Sequence, residues 1–327
     1  MYKYEPPFKI TSKMIDYISR ISELIGEINS LGNSSYQVKL RKENRIKTIH
    51  SSLAIENNSL TIEQITAIID GKRVLGSPNE IQEVRNAVQA YELLLTLNPY
   101  KEEDLLRAHA LMMQDLVSHN GKYRRAGVGI FDGNQIVHIA PPAERVPSLM
   151  GDLFHWLKKS EVHPLIKSCI FHYEFEFIHP FQDGNGRMGR LWQTVILKEW
   201  KEIFAWIPVE SLIKENQAEY YNALKSSDKD ADSSSFIEFM LSLIQKTIED
   251  IIRTERKVTV KVTAKVTVNQ QKIIEAIKEN PFITQEKLAE VIGLSRKSII
   301  QNMKKMQENG LLKRVGSDKN GRWEIVE

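Results

Sequence analysis

The chain has 327 residues, a formal net charge of +3, 42% hydrophobic and 27% charged residues, and one cysteine. At roughly 100–200 residues per domain, this length predicts two or three folded domains, and the composition excludes a disordered chain. The lone Cys169 excludes an internal disulfide, a cysteine-rich zinc site and a CxxC redox pair. No apolar run follows the N-terminus as a signal peptide would require, and clusters such as Leu93–Leu95 are far too short to span a bilayer. The expectation is a protein of the reducing cytoplasm with no membrane partner. Charge is uneven: residues 253–327 hold 16 basic and 9 acidic groups, a balance of +7, and the rest of the chain balances at −4. Only the C-terminal appendage therefore suits a polyanion.

Met14, Ile15, Ile18, Ile21, Leu24, Ile25 and Ile28 recur at spacings of three and four between Thr11 and Leu31, one face of an amphipathic helix. The same spacing predicts helices over about Tyr36–Ile55, Ile62–Ile69, Asn79–Leu97 and Glu103–Val117. The pattern then changes. From Val128 to Ile139, β-branched residues flank Asp132-Gly133-Asn134, a hairpin signal because such residues accept positive φ in a tight turn. Pro141-Pro142 stops the second strand. Helices resume over Val146–Leu157, Leu165–Ile178, Arg187–Trp200 and about Ser234–Arg253. Lys257–Val268 alternates valine with threonine or lysine. That period is strand-like and reads as a linker or an added edge strand.

Beyond it lie a helix over Gln270–Glu279 stopped by Pro281, one capped by Thr284 and ended by Gly293, and one capped by Ser295 that runs to about Asn309. The turn Gly293-Leu294-Ser295 has helix-turn-helix spacing. Leu311–Val315 and Arg322–Val326 flank a Gly-rich turn as a wing would, so the appendage resembles winged helix-turn-helix domains. Arg296, Lys297, Gln301, Lys304 and Lys305 on its third helix would face the groove and phosphates of DNA. A protein-interaction or dimerisation role, with a homodimer, is the alternative.

The chemistry concentrates in His179-Pro-Phe-Gln-Asp-Gly-Asn-Gly-Arg-Met-Gly-Arg190. Gly184 and Gly186 can present bare backbone N–H groups at the start of a helix, an anion nest. Arg187 and Arg190 are three apart, on one side of the first turn, and can grip phosphate oxygens. Asp183 is a hard oxygen ligand placed for a phosphate-bridging Mg²⁺. His179 supplies an imidazole, the side-chain type suited to general base work near neutral pH. One loop thus holds a base, a metal ligand, an anion nest and two arginines, as phosphoryl or nucleotidyl transfer from a nucleoside triphosphate requires. His109, His119, His163 and His172 show no metal-ligand pairing, and no Gly-x-x-x-x-Gly-Lys-Ser/Thr loop occurs.

This stretch resembles the motif of the Fic family, His-x-Phe-x-Asp/Glu-Gly-Asn-Gly-Arg-x-x-Arg, at every fixed position, and the resemblance extends over roughly Ser35–Arg253. It implies AMP transfer from ATP, with Mg²⁺, to a Tyr, Thr or Ser hydroxyl of a target protein, with self-modification as a variant of the same reaction. His179 would deprotonate the hydroxyl and Asp183 would hold Mg²⁺. Asn185 and the amides of Gly184 and Gly186 would stabilise the α-phosphate, Arg187 would grip the β-phosphate and Arg190 the γ-phosphate. The intervening Met188 and Gly189 belong to the same ATP-binding run. Ile136, Val137, His138 and Ile139 resemble the family's hairpin flap, which adds a strand to the target. Tyr220 and Tyr221 resemble a pair lining the adenine pocket, although Asp228 stands where relatives often have Asn. Ser52 and Glu56, one helical turn apart and followed by Asn57, resemble the family's inhibitory motif. Glu56 would reach Arg190 from an N-terminal helix and leave ATP in a non-productive pose.

The expected architecture is mainly α. Residues 1–100 form an N-terminal helical region with the inhibitory helix, 101–253 a Fic-like catalytic core with a β-hairpin flap, 254–268 a linker and 269–327 a small winged helix domain. Two alternatives to AMP transfer stay open. One is removal of AMP from a modified protein, using the same loop and a water held by Glu56. The other is a DNA-binding regulator acting through the winged helix.

Overall fold

The computed structural model describes residues 4–30, 35–132, 135–265, 267–308, 311–316 and 321–325, which divide into two compact units between Asp250 and Ile251. The first unit opens with α1 (Ser12–Ser30), α2 (Ser35–Ile55), α3 (Ile62–Ile69), α4 (Pro78–Glu92) and α5 (Glu102–Met112). Thr61 and Gln64 form a reciprocal capping box that starts α3. A 3-10 turn over Leu93–Thr96 extends α4. The α5 helix stops short of the expected Val117 because the chain turns there, with Asp115 in the left-handed region at φ 58°.

The hairpin pairs β1 (Gly129–Asp132) antiparallel to β2 (Gln135–Ile139). Asp132 faces Gln135, so two residues connect the strands. Those residues, Gly133 and Asn134, lie outside the described residues.

Helices α6 (Val146–Lys159), α7 (Pro164–Ile178) and α8 (Asn185–Trp200) follow. Both α6 and α7 carry proline in their first turn, where no intrahelical N–H is needed. The α7 helix is buried almost all round, from Leu165 to Phe175. A helix buried on nearly every side belongs at the centre of a fold, and α7 sits there with Ser168, His172 and Glu174 among its buried residues. Phe154 meets Phe171 edge-on at 5.6 Å, and Trp192 is fully buried beside Phe154. The unit also holds α9 (Val209–Glu215) and α10 (Gln217–Asp230), which the hydrophobic spacing does not predict, and the first part of α11 (Ser234–Lys265).

The α11 helix corrects one expectation. Residues 257–265 continue it as helix and do not form an edge strand. Strand propensity is realised only by packing on a sheet, and each described sheet has two strands, β1 with β2 and β3 with β4. Extending an existing helix adds one hydrogen bond per residue without a new nucleus.

The second unit contains α12 (Val268–Glu279), α13 (Gln285–Ile292), α14 (Arg296–Glu308), β3 (Leu312–Val315) and β4 (Arg322–Ile325). Thr284 accepts from the Lys287 N–H to cap α13, Gly293 ends that helix at φ 75°, and Ser295 accepts from the Ser298 N–H to start α14. Ile273, Ile277, Leu288, Ile299, Met303 and Met306 form its core. The wing strands pair antiparallel, Leu312 opposite Ile325. Among the described residues no helix is long and apolar enough to cross a membrane.

Candidate active site

The α7 helix ends at His179, whose N–H still donates to Phe175 O at 2.9 Å. His179 itself adopts the left-handed conformation, φ 50° and ψ 60°. A non-glycine residue there costs of order 1–3 kcal/mol and persists only where the surroundings impose it. This turn aims the chain out of the core into the loop 180–184.

Asn185 closes that loop. Its side chain accepts from Phe181 N–H at 2.8 Å and donates to Phe181 O at 2.9 Å. Both side-chain groups are thereby used on the loop's own backbone. The ring of Phe181 stacks on His109 at 3.6 Å. His109 Nδ1 accepts from Gly121 N–H at 2.8 Å, which leaves Nε2 to carry the proton and donate to Asp183 O at 3.0 Å. Burial pushes the His109 pKa down to about 4, so the neutral ring fixes the loop near pH 7. The local pattern of α5 shows nothing of this role, because its partners lie 74 residues on.

Gly184 is the N-cap of α8, at φ 84°, and no side chain caps this end. A Cβ on Gly184 would come within 2.6 Å of Met113 Sδ. Glycine is required here both for its φ and for space. The Asp183 carboxylate accepts from the Gly184 N–H and from Arg187 Nη2, the latter at 2.9 Å. An anion of this chain thus already engages groups of the nest. Arg187 Nη1 also donates to Glu83 on α4 at 3.2 Å, and Asn58 donates to the other Glu83 oxygen at 2.7 Å. Glu83 is a site residue the sequence reading missed, since its partner is 104 positions away.

Arg190 is 2% exposed. Its Nε donates to Ser52 Oγ at 3.2 Å, and its Nη2 donates to Ser52 O at 2.9 Å and to Glu56 Oε1 at 2.8 Å. Burial opposes its charge, and Glu56 together with Tyr220 and Glu176 outweighs that, so the guanidinium stays charged with its pKa raised. A Cβ on Gly186 would collide with the Glu56 carboxylate. Glu56 therefore lies directly over the first turn of α8. The α2 helix is ended by Asn57 in the left-handed region at φ 67°, a position that glycine or asparagine accepts most readily. From α9 and α10, Lys214 Nζ donates to Ala54 O at 2.7 Å and Gln217 Nε2 to Ile55 O at 3.1 Å, fixing the last turn of α2.

Other expected residues separate. Met188 is fully buried, and Gly189 lets Glu176 approach α8. Tyr220 is 1% exposed and hydrogen-bonds through its hydroxyl with His172 at 3.0 Å, whereas Tyr221 is 48% exposed. Both Glu56 and Arg190 act on the Tyr221 phenol electrostatically, and its pKa is raised, chiefly by burial. Asp228 accepts from Tyr173 at 2.8 Å. Of Ile136, Val137 and His138 only the backbone is described, within β2, and Ile139 is exposed. In the second unit Arg296, Lys297, Gln301, Lys304 and Lys305 are all exposed on α14, opposite its buried Ile299, Met303 and Met306. Arg296 pairs with Glu286 at 2.8 Å.

No group of three or more histidine, cysteine, aspartate or glutamate side chains gathers as a metal cage among the described residues. Nucleotide-bound Mg²⁺ needs none, since it takes one or two carboxylates together with phosphate oxygens and water. Asp183, with its side chain 55% exposed at the mouth of the nest, fits that demand.

An uncapped helix start with two buried arginines in its first turns, and a left-handed histidine on the loop before it, meet in a helical core, and the chain also carries a helix-turn-helix unit. Residues 99–197 match the Fic/DOC family, and residues 267–313 match the winged helix-turn-helix DNA-binding family. A crystal structure of a Fic family protein from Desulfovibrio desulfuricans G20 is 45% identical and superposes with a TM-score of 0.76 over 98% of each chain. The chain belongs to the Fic family. A probable protein adenylyltransferase of Aquifex aeolicus (strain VF5) is 28% identical over 293 residues, covering 84% of this chain and 82% of that protein. The protein adenylyltransferase Fic of Drosophila mojavensis is 28% identical over 229 residues, covering 64% of this chain and 42% of that one. The match thus spans less than half of the fly protein.

Proposed function

We propose that this chain is a protein adenylyltransferase, transferring AMP from ATP to a Tyr, Thr or Ser hydroxyl of a target protein, and that Glu56 holds it in check. The observation that carries the reading is the Glu56–Arg190 pair at 2.8 Å, set over an uncapped helix start on the loop that begins with His179.

His179 takes the proton of the acceptor hydroxyl as its oxygen attacks the α-phosphorus. The bond from the α-phosphorus to the bridging oxygen breaks, and pyrophosphate leaves with that electron pair. The amides of Gly184 and Gly186 face the negative charge that develops on the α-phosphate. Asn185 acts by keeping the loop closed. Arg187 and Arg190 grip the outer phosphates once they leave Glu83 and Glu56. Asp183 would hold Mg²⁺, which supplies neutralisation of phosphate charge. Tyr221, the exposed member of its pair, suits the nucleobase side better than the buried Tyr220. The hairpin strands would accept a segment of the target by strand addition.

The test uses ATP labelled at the α- or the γ-phosphate, with Mg²⁺, on the wild type and on Glu56→Gly. Label on protein from the α-position alone, and more of it in Glu56→Gly, is the expected result. No protein labelling in either form overturns the transferase reading, and equal labelling in both overturns the restraint by Glu56. Release of AMP from a pre-modified target, with no forward transfer, assigns the reverse reaction instead.

For the second unit, the exposed basic row of α14 favours duplex DNA as partner. Binding that weakens steeply with added salt is the expected signature. Binding absent at low salt removes the DNA reading and leaves a protein contact.

A further inference from the structure

Arg124 lies between α5 and β1 and is 5% exposed, yet the reaction above does not use it. Its guanidinium serves two separate stretches of backbone. At the end of α7, Nε donates to His179 O at 2.8 Å and Nη2 to Ile178 O at 3.3 Å. At the two roots of the hairpin, Nη1 donates to Ala126 O at 3.0 Å, ahead of β1, and Nη2 donates to Pro141 O, just after β2. The Arg124 backbone N–H adds a bond to Pro180 O at 2.9 Å. Val128 O accepts from Ala140 N–H at 3.3 Å, which closes the hairpin base just above these contacts.

The chemistry of the side chain suits this task. A helix C-terminus leaves carbonyls without partners and attracts positive charge. Guanidinium offers five N–H donors in a fixed plane, so one side chain can reach carbonyls that diverge in direction. An ammonium would offer a single point. The contacts fall on the residue held in the left-handed conformation, His179, and on the residues that decide where the strands begin and end.

We infer that Arg124 is a positioning residue that fixes the hairpin relative to the His179 imidazole. The inference rests on the transferase reading. The hairpin would hold the target's backbone, and His179 would take the proton from a side chain on that same backbone. The distance between them must then be held within about an ångström, since a misplacement of that size costs on the order of 10²-fold in rate. One buried side chain bonded to both sets that distance.

The test is Arg124→Lys, placed in the Glu56→Gly background and also made alone. Amide hydrogen exchange should accelerate together in segments 126–141 and 178–184, with the middle of α7 unchanged. Affinity for ATP should stay within about twofold. With ATP as the probe, incorporation of AMP into the chain itself should fall by about tenfold or more. Release of free AMP to water, an acceptor that needs no hairpin, should fall less. Faster exchange in one segment alone, or in neither, overturns the coupling. Incorporation that falls only in step with ATP affinity or with folded fraction reduces Arg124 to a packing residue and overturns the positioning role. If Arg124→Lys does not fold, native-state exchange of the unsubstituted protein in mild urea decides. Opening of the two segments at one common free energy supports the coupling, and separate openings refute it. If Glu56→Gly transfers nothing at all, the transferase reading fails by itself, and the exchange measurements still decide whether Arg124 ties hairpin to loop.

Discussion

Two helix–turn–helix connections in this chain use the same parts to opposite ends. The α7–α8 connection ends its first helix with a left-handed residue, His179 at φ 50°, and the α13–α14 connection does so with Gly293 at φ 75°. Each then starts a helix with basic residues in its first turns. In α14 the start is closed, because Ser295 accepts from the Ser298 N–H at 3.2 Å, and Arg296 and Lys297 point to solvent. In α8 the start is left open at Gly184, and Arg187 and Arg190 are 4% and 2% exposed. Glycine takes the left-handed turn without strain, whereas histidine does not. The exposed pair Arg296–Glu286 contributes little to stability, whereas a buried Arg190 without Glu56 leaves a charge that must find another anion. On the proposed reading, the satisfied, unstrained connection offers a surface to a partner, and the open, strained one takes a ligand.

The contrast is broken most sharply by His179→Ala. Nucleotidyl transfer should fall by about 10²–10⁴-fold while ATP binding persists, because the imidazole acts on the acceptor and not on the phosphates. Transfer at the wild-type rate would remove the base from the open connection. A smaller effect sharpens the role of the buried arginines. In the Glu56→Gly background, where activity should rise about tenfold for about 1.4 kcal/mol of recovered positioning, Arg190→Ala should lower it again. Unchanged activity there would show that the arginine serves only Glu56.

The two units should also differ in their response to pH. Glu210 on α9 is 2% exposed and accepts from Tyr91 at 3.1 Å, while its Oε2 has no hydrogen-bond partner among the described residues. Burial pushes its pKa up to about 7, and the same holds for Glu174, which Tyr4 bonds at 2.7 Å. A carboxyl whose folded pKa is raised lends its stability below the unfolded value near 4.5 and loses it as pH rises through about 7. The urea midpoint of the first unit should therefore decline from pH 5 to 8, and Glu210→Gln should flatten the decline. The second unit, whose buried residues among those described include no ionisable side chain, should hold its midpoint. An equal decline in both units, unaltered by Glu210→Gln, would refute this assignment. The smallest effect belongs to the closed connection. Ser295→Ala should cost the second unit about 1 kcal/mol, read as a lower urea midpoint, with AMP incorporation unchanged.

The loop from His179 to Arg190 was legible from sequence because its chemistry is local: base, glycines and arginines lie within twelve positions. The helices that bury a strong apolar stripe were legible for the same reason. Residues 209–230 were not. The short α9 and the polar α10 show weak periodicity, and their contribution is to hold the end of α2 through Lys214 and Gln217 across more than 150 positions. Glu83, His109 and Arg124 were missed alike. Each has a partner far along the chain, on α8 or on the loop before it, and nothing in its own neighbourhood marks it. The helical 257–265 segment was misjudged because a period of two predicts a strand only where a sheet exists to receive it.

The last turn of α2 is held from three directions: by Arg190 on Ser52 O and Glu56, by Lys214 on Ala54 O, and by Gln217 on Ile55 O. If this turn frays, Glu56 moves with it while the rest of α2 and the core stay folded. Such local openings have their own free energies, well below that of global unfolding. On the proposed reading, in which Glu56 restrains the enzyme, the resting state is then a leaky valve. A fraying free energy of about 2.7 kcal/mol leaves on the order of one molecule in a hundred open. On that reading two of the side-chain donors that set the leak, Lys214 and Gln217, lie outside the catalytic motif. Lineages could retune the idle rate of this enzyme through positions such as Lys214 and Gln217 while every residue that touches ATP stays the same.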